Sequence, residues 1–327
     1  MRSLELIKDG TATLKLTGAS TYTGGTYIAA GTLQLGDAGS TGSIGSGVIV
    51  DNGALRFNRT NALPIANTIS GTGTVTQAGS GTTTVSGANT YTGVTTIAKG
   101  TLSAATIVVG GGSSNLGNAA SAVIFGDATN TGTLSYTGST ATYTRGFDVK
   151  AGGGRIDTTT SGQTLTVNSG AITSAADTSL TIGGAGNTTV TTAVALGATT
   201  GALTKAGNGT LNINSGAQTY KTLTTTLGAG TTNVNTAIGG GTTDVVANAD
   251  VKFGSVSQTF SSLSIGAGAT VTFTSGFASF ADSGKGVSFG GGAPGSAVVP
   301  EPGSVGLLMV GALGLLSRRR RQGKTAC

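Results

Sequence analysis

The chain has 327 residues and a mass of 31.4 kDa, with 59 glycines, 37% hydrophobic, 9% charged and 5% aromatic residues. Disordered chains combine low hydrophobicity with high charge; this composition, rich in β-branched residues, points instead to an ordered, turn-rich β architecture, as one large unit or two ordinary domains. The formal charge is +6, but Arg318, Arg319, Arg320, Arg321 and Lys324 supply five of the 18 basic residues and Glu301 one of the 12 acidic ones, so the remainder is near +2 and carries no basic stripe for nucleic acid.

Cys327 is the only cysteine, so no internal disulfide and no cysteine-based metal cluster is expected. The first residues, "MRSLELIKDGTATLKL", hold one early arginine and no sustained apolar run, and no secretory signal peptide is read there.

Residues 4–36, "LELIKDGTATLKLTGASTYTGGTYIAAGTLQLG", return as residues 74–105, "TVTQAGSGTTTVSGANTYTGVTTIAKGTLSAA". The offset is 69 positions: Gly10 meets Gly79, Thr21-Tyr22-Thr23-Gly24 meets Thr90-Tyr91-Thr92-Gly93, and Gly31-Thr32-Leu33 meets Gly100-Thr101-Leu102. Such periodicity predicts a solenoid, in which a unit buries its apolar face only against its neighbours. The offset would suit three coils of about 23 residues. Within the first copy Thr11, Thr13, Lys15 and Thr17 alternate with Ala12, Leu14 and Leu16, the period of a strand with one buried face.

Between the copies, "VIVDNGALRF" at 48–57 places Asn52-Gly53 between two apolar alternations. That reads as a hairpin or, in the favoured solenoid, as strand, corner and next strand. A partial third copy, "LTKAGNGTLNINSGAQTY", starts at Leu203. Gln218-Thr219-Tyr220 with Leu223 recurs as Gln258-Thr259-Phe260 with Leu263. Nothing in the body has the period of an amphipathic helix.

These copies resemble the autotransporter-associated β-strand repeat. The resemblance implies an exported, surface-displayed, right-handed parallel β-helix and no particular activity. The chain departs from an autotransporter in lacking a C-terminal set of alternating membrane strands. The fold expected is therefore all-β, a right-handed parallel β-helix over 1–284, followed by a Gly/Ser/Ala-rich linker at 285–298 and a C-terminal segment at 299–327. Because a copy begins near Leu4, the N-terminus is expected to lie inside a longer repeat array.

The C-terminal segment runs "VPEPGSVGLLMVGALGLLSRRRR" at 299–321. Its apolar stretch holds Val305, Leu307, Leu308, Met309, Val310, Leu313, Leu315 and Leu316, shorter than the ~20 residues of a free-standing membrane helix. Arg318, Arg319, Arg320 and Arg321 follow directly, as the positive-inside rule places them at a cytoplasmic end. A short membrane-inserted helix is the expectation.

Val299, Pro300, Glu301 and Pro302, the apolar stretch and the arginine cluster, in that order, resemble the PEP-CTERM sorting signal. The resemblance implies that Val299, Pro300, Glu301 and Pro302 form the recognition element and that the apolar stretch is a temporary inner-membrane anchor. It further implies a cytoplasmic stop at the arginines and processing by an exosortase-type protease, with release to the surface or extracellular matrix of a Gram-negative-type bacterium. "QGKT" at 322–325 lacks the upstream glycine of a phosphate-binding loop and carries no weight.

The chain has no histidine, and its only glutamates are Glu5 and Glu301, which removes histidine triads and imidazole metal sites. No cofactor is expected. Aspartates such as Asp37, Asp51 and Asp127 stand beside Gly, Ala or Asn, where turns are the expectation. The densest charged group is Arg145, Asp148, Lys150, Arg155 and Asp157, expected to be a solvated face or, alternatively, a contact for anionic polysaccharide. The functional expectation is a non-catalytic structural or adhesive protein with extracellular polysaccharide as candidate ligand; a polysaccharide-active enzyme is the alternative. Ice binding ranks lower, because "TVT", "TTTV" and "TLT" fall at irregular spacings that do not suggest continuous threonine ladders.

Overall fold

In the computed structural model, residues 4–107, 114–214, 216–226, 228–238, 242–274, 278–281, 287–289 and 296–298 are described. All named strands pair in parallel, each with the strand roughly one coil further along the chain. Parallel neighbours joined by corners rather than helices make a solenoid, here of about twelve coils. At about 4.8 Å between strands the stack is roughly 55 Å long.

Each coil has three sides. Face 1 stacks Thr13–Leu16, Thr32–Gly39, Ala54–Arg59, Thr74–Gln77, Thr95–Ile97, Val123–Phe125 and Phe147–Val149 in register. Face 2 begins as a strand ladder at Leu63–Ile65 and continues through Thr82–Val85, Gly100–Ala104, Gly132–Tyr136, Gly154–Thr158 and Ser179–Gly183. Face 3 holds Leu6–Lys8, Thr26–Ile28 and Ile49–Asp51 in the first coils. From Ala141–Tyr143 it continues through Thr164–Val167, Asn187–Val190, Leu211–Ile213, Thr232–Val234, Val251–Phe253 and Thr270–Phe273. Val287–Phe289 and Ser296–Val298, within the stretch read as linker, extend faces 2 and 3.

The period-two pattern sends one set of side chains inward, where like stacks on like: Leu33, Leu55 and Val75 form one column, each 0–1% exposed. Burying each such side chain is worth about 1.5–3 kcal/mol. Aromatic residues thicken the middle and the end of the core. Phe147 stacks on Phe125 and Tyr143 at 5.0 and 4.8 Å, and Phe253 on Phe273 at 5.0 Å. Asn52-Gly53 is a corner between Ile49–Asp51 on face 3 and Ala54–Arg59 on face 1, not the turn of a hairpin.

The expected division into three coils of about 23 residues is corrected. Leu33 lies on face 1 and its counterpart Leu102 on face 2, so the 69-residue offset spans three coils and one further side. The repeated unit is a single coil with its return: Leu6 pairs with Thr26 and Thr13 with Thr32, as Val75 pairs with Thr95 and Thr82 with Thr101. Because the sides are alike in length, the unit fits the triangular section in more than one rotation.

A shared polar device marks the copies. Inward-pointing Lys8, Gln77 and Lys205, each no more than 5% exposed, end a strand and turn back to the corner. Their terminal nitrogens donate to the carbonyls of Gly10, Gly79 and Gly207, at 2.6, 2.7 and 2.6 Å. Corner carbonyls aimed into a core need such donors.

Candidate functional site: the outward rows of face 3

The strands of face 3 from Ala141 onward read outward as well as inward. Thr142, Thr166, Thr189, Asn212, Asn233, Lys252 and Thr272 lie in one register row. Two positions before them run Thr140, Thr164, Asn187, Thr210, Thr231, Asp250 and Thr270, linked by bonds such as Thr210 N to Asn187 Oδ1 at 2.9 Å and Thr270 N to Asp250 Oδ1 at 3.0 Å. Two positions after them run Thr144, Asn168, Thr191, Asn214, Asn235, Gly254 and Thr274. Of these 21 positions twelve are threonine and six asparagine, and none is buried.

The array is stiff because its backbone is laddered and its amides chain along it. Asn233 Nδ2 donates to Asn212 Oδ1 at 2.7 Å, and Asn235 Nδ2 to Asn214 Oδ1 at 2.9 Å. Spacings are about 4.8 Å from coil to coil and about 6.7 Å from row to row. The other faces are mixed: face 1 presents Ile124 and Asp148 outward, face 2 Arg155 and Asp157. Face 2 also carries a hydroxyl row, Thr82, Thr101, Thr133, Thr181, Thr204 and Thr224, which charged Arg155 interrupts; three adjacent rows of threonine and asparagine mark face 3.

Threonine alone forms no continuous ladder, as expected: Thr142, Thr166 and Thr189 give way to Asn212 and Asn233, and threonine together with asparagine makes the rows. Successive coils differ in length, with Asp244 facing Ser262 but Gly100 facing Gly132, and the corners absorb the difference. The signal was present as five-residue strings, TATYT at 140, TLTVN at 164, NTTVT at 187, TLNIN at 210, TTNVN at 231 and TVTFT at 270.

The charged group read from the sequence does not converge. Arg145 is 6% exposed and turns inside, where Nε donates to Ser121 O at 2.9 Å and Nη1 to Leu116 O at 2.8 Å. Asp148 pairs with Lys150 on face 1 at 2.5 Å, and Asp157 with Arg155 on face 2 at 2.7 Å. Among the described residues no group of three or more acidic, histidine or cysteine side chains is placed to hold a metal ion. Asp127 is a turn residue, its Oδ1 accepting from Thr129 N and Asn130 N at 2.8 and 2.7 Å; these bonds hold its carboxyl below the usual range.

Two buried groups are pushed toward neutrality. Burial raises the Asp51 carboxyl to about 6, with Oδ1 held by Gly53 N at 3.0 Å and Oδ2 unpartnered. Burial, aided by the Arg155 charge, lowers Lys205 to about 8.

The fold and this surface define a class: a parallel β-solenoid repeat protein presenting a polar face. Residues 6–35 and 75–104 match the passenger-associated-transport-repeat family, and 298–321 match the PEP-CTERM protein-sorting motif. The chain thus carries two passenger-associated transport repeats and a PEP-CTERM sorting motif, as its motifs had suggested, and the sorting motif supports export with a membrane-anchored sorting stage. No curated protein and no solved structure matches it. Val299, Pro300, Glu301, Pro302, the apolar stretch and the four arginines lie outside the described residues, as do Gly110, Gly111, Gly112 and Cys327. No helix among the described residues is long and apolar enough to cross a membrane.

Proposed function

We propose that the chain is a non-catalytic structural and adhesive protein of the cell surface or extracellular matrix. An exosortase-type protease processes it near Pro300, Glu301 and Pro302 after the stretch from Val305 to Leu316 has held it in the inner membrane and the arginines have stopped it on the cytoplasmic side. The observation that carries the adhesive part is the array on face 3, where 18 of 21 outward positions are threonine or asparagine. Single neutral hydrogen bonds are worth about 0.5–1.5 kcal/mol net. A rigid array repeats them without a new ordering cost at each, which favours neutral glycan chains laid along the stack. The enzyme alternative needs convergent carboxylates, and Asp148 and Asp157 stand on different faces, each with its own cation.

The test is the location of a tagged chain in cells with and without the sorting protease. Processing and release only where the protease is present support the reading; an uncleaved tail in both strains contradicts it. The continuous rows also favour a second reading, contact with ordered water at an ice surface, since hydroxyls and methyls at fixed spacing hold water without stripping it. Thermal hysteresis by the purified protein, lost on Thr189→Lys, would establish that reading; its absence would remove it.

A further inference from the structure

We infer that the first three coils carry a binding groove for one sugar unit of a neutral glycan. This deepens the proposed function, on which it rests, by giving the matrix protein a specific saccharide contact apart from face 3. Coils one and two cross the second side of the solenoid without a strand, at 17–25 and 40–48, and Leu63–Ile65 is the first strand there. Segments 20–22, 43–46 and 63–67 therefore border an open groove of about 420 Å³. Small-ligand sites begin at about 300 Å³.

The lining has the two chemistries of a sugar ring. Pro64, Ile44 and half-buried Tyr22 supply apolar surface for the C–H face, and Thr21, Ser46 and Asn67 supply neutral polar groups for the hydroxyl rim. The rim is held in place. Ser20 N donates to Ser43 Oγ, and Ser20 Oγ to Ser43 O, both at 2.8 Å; Asn67 Nδ2 donates to Gly45 O and Gly47 O at 2.8 and 2.6 Å. No charged residue lines the groove, so an anionic sugar would lose hydration there without gaining a cation.

The second repeat supplies an internal comparison. Tyr22 and Tyr91 are equivalent: each hydroxyl bonds the threonine four residues on, at 2.7 and 2.8 Å, and each ring lies over a glycine, Gly45 or Gly117. Yet Tyr91 is 1% exposed. The next coil closes around it, with Leu116 fully buried and Asn115 reaching back to Gly87 O at 2.9 Å. The same frame is thus filled in one copy and open in the other.

The experiment is an amide-resonance titration of the full-length protein with methyl glucoside, methyl galactoside and methyl N-acetylglucosaminide, alongside glucuronate. At least one neutral glycoside should shift, saturably, amides of 20–22, 43–46 and 63–67, with glucuronate at least about tenfold weaker. Ala66→Phe, which fills the groove from an exposed position, should abolish the shifts, while Ser161→Ala, at an exposed turn outside both the groove and the face 3 rows, leaves them unchanged. Failure of every neutral glycoside to saturate, comparable binding of glucuronate, or unaltered binding by Ala66→Phe would overturn the proposal. Sorting and surface location are read separately in the protease-deficient strain, so loss of this site would leave that reading standing.

Discussion

Asp51 offers a test of how a polar group sits inside this core. It is 0% exposed, and in register with Ile28 it points inward. Burial raises its carboxyl from 3.8 to about 6. A raised acid means that the folded chain binds a proton the unfolded chain has already released. Stability from this group is therefore full at low pH and falls as pH rises from about 4 through 6. Two pH units of difference correspond to about 3 kcal/mol. Asp37 and Asp127 are shifted the other way, by Lys15 and by turn amides, so their titrations fall below this window.

Solenoids open in segments, so the suitable assay is hydrogen exchange of the amides in Ile49–Asp51 and Ala54–Arg59 between pH 4 and 7, corrected for intrinsic rate. Protection should fall by up to about 3 kcal/mol across that range. In Asp51→Asn, which keeps the acceptor to Gly53 N, the protection should be flat with pH. Protection that rises with pH in the native chain, or the same slope in Asp51→Asn, would refute the reasoning.

Lys205, lowered to about 8, works in the opposite sense: the unfolded chain keeps a proton that the folded chain gives up, so local stability should rise by on the order of 2 kcal/mol from about pH 8 to 9.5. Lys205→Met should lose that rise while costing about 1–3 kcal/mol for the corner carbonyls left without a donor, measurable by denaturant melts at both pH values. Gly117→Ala should destabilise by more than about 2 kcal/mol, because at a φ of +68° its Cβ would lie 2.7 Å from the Tyr91 ring. Gly162→Ala, also at positive φ but with nothing within 4 Å, should cost only about 1 kcal/mol in the same thermal melts. Paired substitution of Thr166 and Thr189 by lysine should leave the melting temperature within about 2 °C and weaken sedimentation with neutral polysaccharide several-fold.

The all-β solenoid was legible because strand alternation and a repeated motif both survive in the sequence. Its coil length was not. Motif spacing counts sides, and a three-sided section lets Leu33 and Leu102 serve different faces while keeping identical neighbours in sequence. The rows of face 3 were written in the six Thr/Asn strings, but their alignment depends on corners of unequal length that only the backbone register resolves. Arg145 was grouped with Asp148 and Arg155 by proximity in sequence, yet it sits in the corner between Ala141–Tyr143 and Phe147–Val149 and turns its side chain inside, while strand alternation sends theirs outside. The groove could not have been foreseen, since it exists where two coils lack a strand.

The most direct measurement is the intact mass of the exported protein. The account predicts a species cut near Pro300, Glu301 and Pro302, lacking the apolar stretch and the arginines, in cells with the protease, and the uncut membrane-bound chain in cells without it. An exported protein that still ends in Cys327 would contradict it.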